Sequence, residues 1–322
     1  MTSYPSCRLI PSGLLAEIRP DQLQFNRKGT AQLGTAEPDT SPLGAPSPPG
    51  NPPPGTSLPE SPPSDPDDPA APPIDEPASD GFTLYIGGEP QSHVFVEHQT
   101  HLLFDYLQRI SNIVDLFVRS GEPIAALHLG AGALTLPRYI ALTRPESQQF
   151  VLESEENLLD FVTENLPLPR GTEFTVRTDD ARRGLPWAAS FAPFDLIVLD
   201  VYAGSSTPPH LTTVEFYQQL AALLSAEGVL VINVADDAGL TLVRAQTATI
   251  QAVLAHVVVL GSKDLIVGMG EGNAVLVGSP APGILDLLPR LAAEGPHPNG
   301  VVPPAGLEAF IGDARAVTDA RV

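Results

Sequence analysis

The chain is predicted to fold as an α/β protein whose mostly parallel, Rossmann-like sheet of seven strands carries helices on both faces. Three observations predict it. Apolar β-type runs alternate with runs of helical periodicity from Ile124 to Leu254. The first of these strands breaks through Gly130-Ala131-Gly132 directly into a helix, the turn by which such a sheet approaches a ligand. The expected carboxyl ends of the strands are Gly130, Glu153, Asp179/Asp180 and Asp200, and three of these four are acidic. Ligands of open α/β sheets sit beyond those ends.

The elements follow in order. Residues 1–80 read as a disordered Pro- and acid-rich N-terminal region. Glu37 to Asp80 holds sixteen prolines and nine acids, without Lys, Arg, Val, Phe, Tyr or Trp, so it has too little to bury. Residues 1–36 carry scattered apolar positions without a sustained period. Residues 81–97 read as a β-hairpin, Phe82–Ile86 and His93–Val96 around a Gly87–Ser92 loop. Residues 98–280 form the main domain. Its first helix spans Leu102–Val118, with apolar residues at helical spacing. Then come strand Ile124–Leu129, helix Leu134–Leu142, strand Gln149–Leu152, helix Glu155–Asn165 and strands Phe174–Arg177 and Leu196–Leu199. Thr212 and Glu215 have capping-box spacing and open a helix through Leu224 that Gly228 stops. Strand Val229–Val234, helix Leu240–Leu254 and the strands His256–Leu260 and Asn273–Gly278 close the domain, and residues 281–322 are an extension.

The net charge of −21 argues against nucleic acid and against anionic membrane surfaces, and it favours a cationic substrate. The single Cys7 provides no disulfide framework, and no apolar run reaches the length of a membrane span, so the chain reads as cytoplasmic. His98, His101 and His210 lack metal-ligand spacing, and no metal is expected. Ser205 and Ser206 lack a nucleophile-elbow pattern, which argues against a hydrolase triad. His128 reads as a satisfied core histidine and Trp187 as packing.

The glycine turn is the place to look for chemistry. A dinucleotide fingerprint would put a third glycine where Thr135 stands, so pyrophosphate is disfavoured and a nucleoside without phosphates is favoured. Glu153, about twenty residues beyond the turn, suits ribose hydroxyls. Asp179 and Asp180 compete for one role. Asp200, closing an apolar strand, is placed for catalysis.

In this order the motifs resemble those of the spermidine synthase family, the polyamine aminopropyltransferases, on the class I S-adenosylmethionine-dependent methyltransferase fold. The resemblance runs from about Phe82 to Ser279. It implies that Gln91 of the hairpin segment Leu84–Gln91 touches the nucleoside and that Gly130 and Gly132 form its turn. It implies further that Glu153 holds the ribose, Asp180 binds the adenine amino group and Asp200 is the first acid of the catalytic loop. Pro209–Tyr217 matches the segment after that loop. Two positions depart from the family: Ala133 replaces the aspartate that grips the aminopropyl ammonium, and Ala203 replaces the second catalytic aspartate. Tyr202 or His98 could assist Asp200.

The resemblance implies a transferase of polyamine biosynthesis. S-adenosylmethionine or its decarboxylated form is the donor, and an aminopropyl group passes to a small cationic amine. A homodimer is compatible with it. A methyltransferase of unknown acceptor and a non-catalytic nucleoside- or partner-binding member remain the alternatives.

Overall fold

The computed structural model describes residues 6–9, 15–20, 23–25, 31–33, 81–203 and 206–322. The chain divides into two units, Gln22–Ser79 and the rest. The stretch Glu37–Asp80, expected to be disordered, lies outside the described residues.

Within the larger unit, β1 (Ser6–Leu9) and β2 (Leu15–Pro20) pair antiparallel. Residues 1–36, expected as a weakly ordered arm or as sequence outside the domain, thus contribute these two paired strands. Within the smaller unit, β3 (Leu23–Phe25) and β4 (Ala31–Leu33) pair antiparallel. Strands β5 (Gly81–Ile86) and β6 (Glu89–Phe95) form the predicted hairpin, and β2 extends it, giving a sheet of order β1-β2-β5-β6. Ala16 and Ile18 of β2 are fully buried with Leu84 and Val94, which is the physical reason β2 orders. The hairpin turn is only Gly87-Gly88, with φ of 62° and 90°. Two consecutive positive φ values suit a two-residue turn whose twist matches the strands. Glu89–Ser92 therefore belong to β6 and not to the predicted loop.

Helix α1 (Asp105–Phe117) leads to β7 (Ala125–Leu129), and α2 (Thr135–Thr143) to β8 (Gln148–Glu153). Next come α3 (Leu158–Asn165), β9 (Phe174–Thr178), α4 (Leu185–Ala188), β10 (Phe194–Leu199) and α5 (Val214–Ala221). The series closes with β11 (Leu224–Asp236), α6 (Thr241–Gln251), β12 (His256–Ser262), β13 (Gly272–Ser279) and β14 (Asn299–Val302).

The main sheet has eight strands, one more than predicted, in the order β14-β12-β13-β11-β10-β7-β8-β9. Strands β11, β10, β7, β8 and β9 are mutually parallel, while β13 pairs antiparallel with both β11 and β12, and β14 pairs antiparallel with β12. The extra strand comes from the extension. Val302 is buried in the core beside β12, a short pairing that two valines do not announce in sequence.

Strand β10 shows why the sheet is covered twice. Leu196 and Val198 pack with Ile110, Ile113 and Val114 of α1, while Ile197 and Leu199 face the cluster of Phe216, Tyr217 and Leu220 of α5. Each such fully buried aliphatic side chain contributes about 1.5–3 kcal/mol. The predicted start of α5 shifts by one residue: Thr213 is the N-cap, its Oγ1 accepting from Phe216 N at 3.2 Å. Glu215 accepts from the backbone of Asp319 instead of closing a capping box. Gly228 stops no helix. It lies within β11 where the register against β10 slips, and a Cβ there would sit 2.7 Å from Phe194 O.

From β7 the chain order runs outward through β8 and β9 on one side and through β10 and β11 on the other. The crevice for a ligand opens at that reversal, above Gly130.

Candidate functional site

A cavity of about 840 Å³ opens at the carboxyl ends of these strands. Gln91, Gly130, Gly132, Glu153, Asp180 and Asp200 all line it, so the structure brings every sequence-predicted site residue to one place.

The glycine turn is built by close packing. Gly130 has φ of 93°, and a Cβ on it would lie 2.2 Å from the Asp200 carbonyl oxygen, so a side chain is excluded on both counts. Gly132, at φ of 49°, faces Ser92 of the hairpin, 3.1 Å from where its Cβ would be. Thr135 ties the two elements together: its Oγ1 lies 2.9 Å from Ser92 Oγ and donates to His93 O at 2.8 Å. The residue that breaks the dinucleotide fingerprint thus anchors the hairpin over the turn.

Glu153 is 6% exposed. Its Oε2 accepts from Ala131 N at 2.9 Å and its Oε1 from Glu155 N at 2.9 Å. Burial raises its carboxyl above the ordinary range, against the pull of these two N–H groups.

At the next strand end the two aspartates separate. Asp179 pairs with Arg177 and Arg183. Asp180 Oδ1 accepts from the backbone of Arg182 and Arg183 at 3.1 and 2.9 Å, and its Oδ2 meets His210 Nε2 at 2.8 Å. Burial works against the charged form of Asp180, but these donors outweigh it and hold the carboxyl below its usual value. His210 therefore joins the site through this carboxylate. Among the described residues no cluster of three or more metal-ligating side chains is present.

At the opposite side of Gly130, Asp200 Oδ1 accepts from Asn233 Nδ2 at 2.8 Å and Oδ2 from the Tyr106 hydroxyl at 3.2 Å. Asn233 is in turn fixed by Asn273, whose Nδ2 donates to Asn233 Oδ1 at 3.0 Å. Burial raises the Asp200 carboxyl above its usual value, against the two hydrogen bonds. Tyr202 lines the same cavity, its hydroxyl accepting from Ala235 N at 2.9 Å. His98 is not among the residues lining the cavity. Asn233 had a legible signal, a lone amide inside the apolar run Val229–Val234. Tyr106 and Asn273 had none.

Ala133 and Ala203, the two positions expected to depart from the family pattern, are placed differently. Ala133 is fully buried in an apolar cluster with Ile18, Leu84 and Phe161. Ala203 lines the cavity and donates its backbone N–H to Ser206 O at 2.9 Å. His128 is buried, with Nε2 3.0 Å from Gln149 Oε1, and Trp187 packs edge-on against Phe191 and Phe150.

No family model matches the chain. A polyamine aminopropyltransferase of Vibrio vulnificus is 29% identical over 153 residues. That stretch is 47% of this chain and 50% of the relative, so the match spans half the length of that curated protein. The crystal structure of a probable spermidine synthase from Corynebacterium glutamicum has a TM-score of 0.65 at 30% identity, covering 74% of this chain and 89% of that one. A looser likeness, with a TM-score of 0.46 at 22% identity over 67% of this chain and 93% of the other, is to human methyltransferase-like protein 13 in complex with SAH. Among the described residues no helix is long and apolar enough to cross a membrane.

Proposed function

This chain belongs to the spermidine synthase family, and from that premise we propose that it transfers an aminopropyl group from a decarboxylated S-adenosylmethionine-type donor to an amine. One observation carries the proposal. Glu153 and Asp200 stand at the ends of the strands flanking β7, on either side of the glycine turn and in one cavity. Two strand spacings separate their backbones by about 10 Å, roughly the reach from a ribose to a group carried on its 5′ sulfur.

The turn of Gly130 and Gly132 lets the backbone approach a nucleoside closely, Glu153 would hold the ribose hydroxyls and Asp180 the base, with Gln91 reaching in from the hairpin. The donor supplies an electrophilic carbon beside a sulfonium. An amine must be neutral to attack it: the nitrogen lone pair forms the new N–C bond, the C–S pair leaves on sulfur, and one proton is shed. Asp200 is the acceptor for that proton. Its raised carboxyl makes it a better base than an exposed aspartate, and Tyr106 and Asn233 fix which lone pairs it offers.

A second reading, methyl transfer from S-adenosylmethionine, is favoured by the burial of Ala133, since position 133 offers no carboxylate for the aminopropyl ammonium. Calorimetry with S-adenosylmethionine, decarboxylated S-adenosylmethionine and methylthioadenosine separates the two, followed by mass analysis of the product with putrescine. Preference for the decarboxylated donor and a product heavier by an aminopropyl group support the first reading. Preference for the carboxylated donor, with methylated product, supports the second, and no binding of any of the three overturns both.

A further inference from the structure

Residues 313–322 lie against the same side of the molecule as Asp180. Asp319, on a short turn of helix Asp319–Arg321, receives both terminal nitrogens of Arg182: Nη1 to Oδ1 at 2.8 Å and Nη2 to Oδ2 at 2.6 Å. The segment is held at three further points. Val214 N donates to Val317 O at 2.8 Å, Val317 N to Thr249 Oγ1 at 3.0 Å, and Asp319 N to Glu215 Oε2 at 2.9 Å.

Arg182 is the link to the cavity. Its Nη1 also donates to the His210 carbonyl at 3.1 Å, and its own backbone N–H is one of the two that hold Asp180 Oδ1. The His210 ring meets the other oxygen of that carboxylate. One guanidinium therefore joins the strap at Asp319 to both neighbours of Asp180, through bonds that form a fork on a carboxylate. A planar, five-donor group is needed for this, because three acceptors on two segments are served at once.

We propose that Asp319 and Arg182 are positioning residues: their clasp holds the 180–183 turn and His210 in the arrangement that presents Asp180 to the base of a bound nucleoside. The proposal rests on the adenosyl reading of the cavity. Neither residue lines that cavity, and Asp319 reaches the Asp180 turn through Arg182.

The test is Asp319→Asn in the full chain, with Asp319→Glu beside it. In the ligand-free protein, the Arg182 and Arg183 amides of Asp319→Asn should exchange with solvent about tenfold faster, and the His210 ring signals should shift. Methylthioadenosine should bind roughly 5–20-fold more weakly, with a melting temperature within scatter of the wild type. Asp319→Glu, which can re-form the fork, should recover most of both. Unchanged exchange and affinity, or an affinity loss that only tracks a fall in melting temperature, overturns the proposal. Faster exchange with unchanged affinity overturns it too, since the clasp would then hold the turn without serving the ligand. If the wild type binds no nucleoside, the adenosyl reading falls, and the exchange data alone decide whether the clasp holds the Asp180 turn.

Discussion

The backbone N–H of Ala131 donates to Glu153 Oε2 at 2.9 Å, tying the acid at the end of β8 to the middle of the glycine turn after β7. One carboxylate thus shapes the turn and lines the cavity. Glu153→Ala strands the buried N–H of Ala131 and removes the acceptor of the half-buried Glu155 N–H, so it should cost about 1–3 kcal/mol of stability in urea unfolding. Nucleoside affinity should fall with it by roughly 5–100-fold in calorimetry. Its raised carboxyl means that the charged form is disfavoured by folding, so this group's contribution to stability declines as pH rises above the ordinary glutamate range. Glu153→Gln should flatten that slope. A variant with full stability and full affinity would remove Glu153 from both roles.

Strand β2 gives the second prediction. Ile18 is fully buried against Leu84 and Val94, so Ile18→Ala should cost about 2–4 kcal/mol. Pro20 lies opposite Phe82 across β2 and β5, so a short hairpin loop in place of residues 22–79 can join the two strands. That exchange should leave the melting temperature equal or higher, because closing a shorter loop costs up to about 2 kcal/mol less entropy. Equal stability of the wild type and Ile18→Ala would show that β2 adds nothing to the fold.

These two cases mark how far the sequence could be read. Leu196–Leu199 is apolar at every position, and such a strand can only be buried on both faces, so the parallel sheet and its acidic strand ends were legible. Ala16 and Ile18 alternate with Glu17 and Arg19 over too few residues to stand out, so β2 was not. The site divides in the same way. Its glycines and carboxylates come from turns next to apolar runs and carry a local signature. Tyr106, Asn273 and Asp319 enter only through the fold, Asp319 meeting Arg182 across 137 positions of sequence.

His128 supplies a pH prediction. Burial lowers its imidazole to about 4, against a smaller opposing effect of its bond to Gln149. Its folded value lies below the unfolded one, so the unfolded chain takes up a proton first as pH falls. The fold then loses stability between about pH 6.5 and pH 4, by up to about 3 kcal/mol at the lower end. His128→Gln should remove this part of the acid sensitivity, read as the difference in unfolding free energy between the two proteins across that window. A difference that stays constant from pH 7 to pH 4 would exclude the histidine as its source.

Ala133 is a prediction about restoration. An aspartate there would enter the apolar cluster of Ile18, Leu84 and Phe161. Burying that carboxylate without partners should destabilise Ala133→Asp by about 2 kcal/mol or more, and it should not raise activity with putrescine. A stable Ala133→Asp that gains aminopropyl transfer would mean the cluster opens to admit the acid.

The last prediction concerns Asp200, whose carboxylate is held by Asn233 and Tyr106 at the mouth of β10. If it takes the proton of the incoming amine, Asp200→Asn should lower turnover by roughly 10²–10⁴ and leave nucleoside affinity near the wild-type value. The amide keeps one acceptor and turns its NH2 toward the other donor, Tyr106 or Asn233, so the melting temperature of the variant is read beside its turnover. In the wild type, activity with putrescine should be weak, because Ala203 lines the cavity where the resemblance implies an acid to hold a cationic ammonium group. Asn233→Leu should reproduce part of the turnover loss, since it removes the donor that fixes Asp200 Oδ1 while leaving the carboxylate in place. Steady-state kinetics with a series of amines, paired with calorimetry for the nucleoside, separates these effects. An Asp200→Asn enzyme that turns over at the wild-type rate would place the proton acceptor elsewhere. A variant that instead lost nucleoside binding would move Asp200 from chemistry to ligand holding.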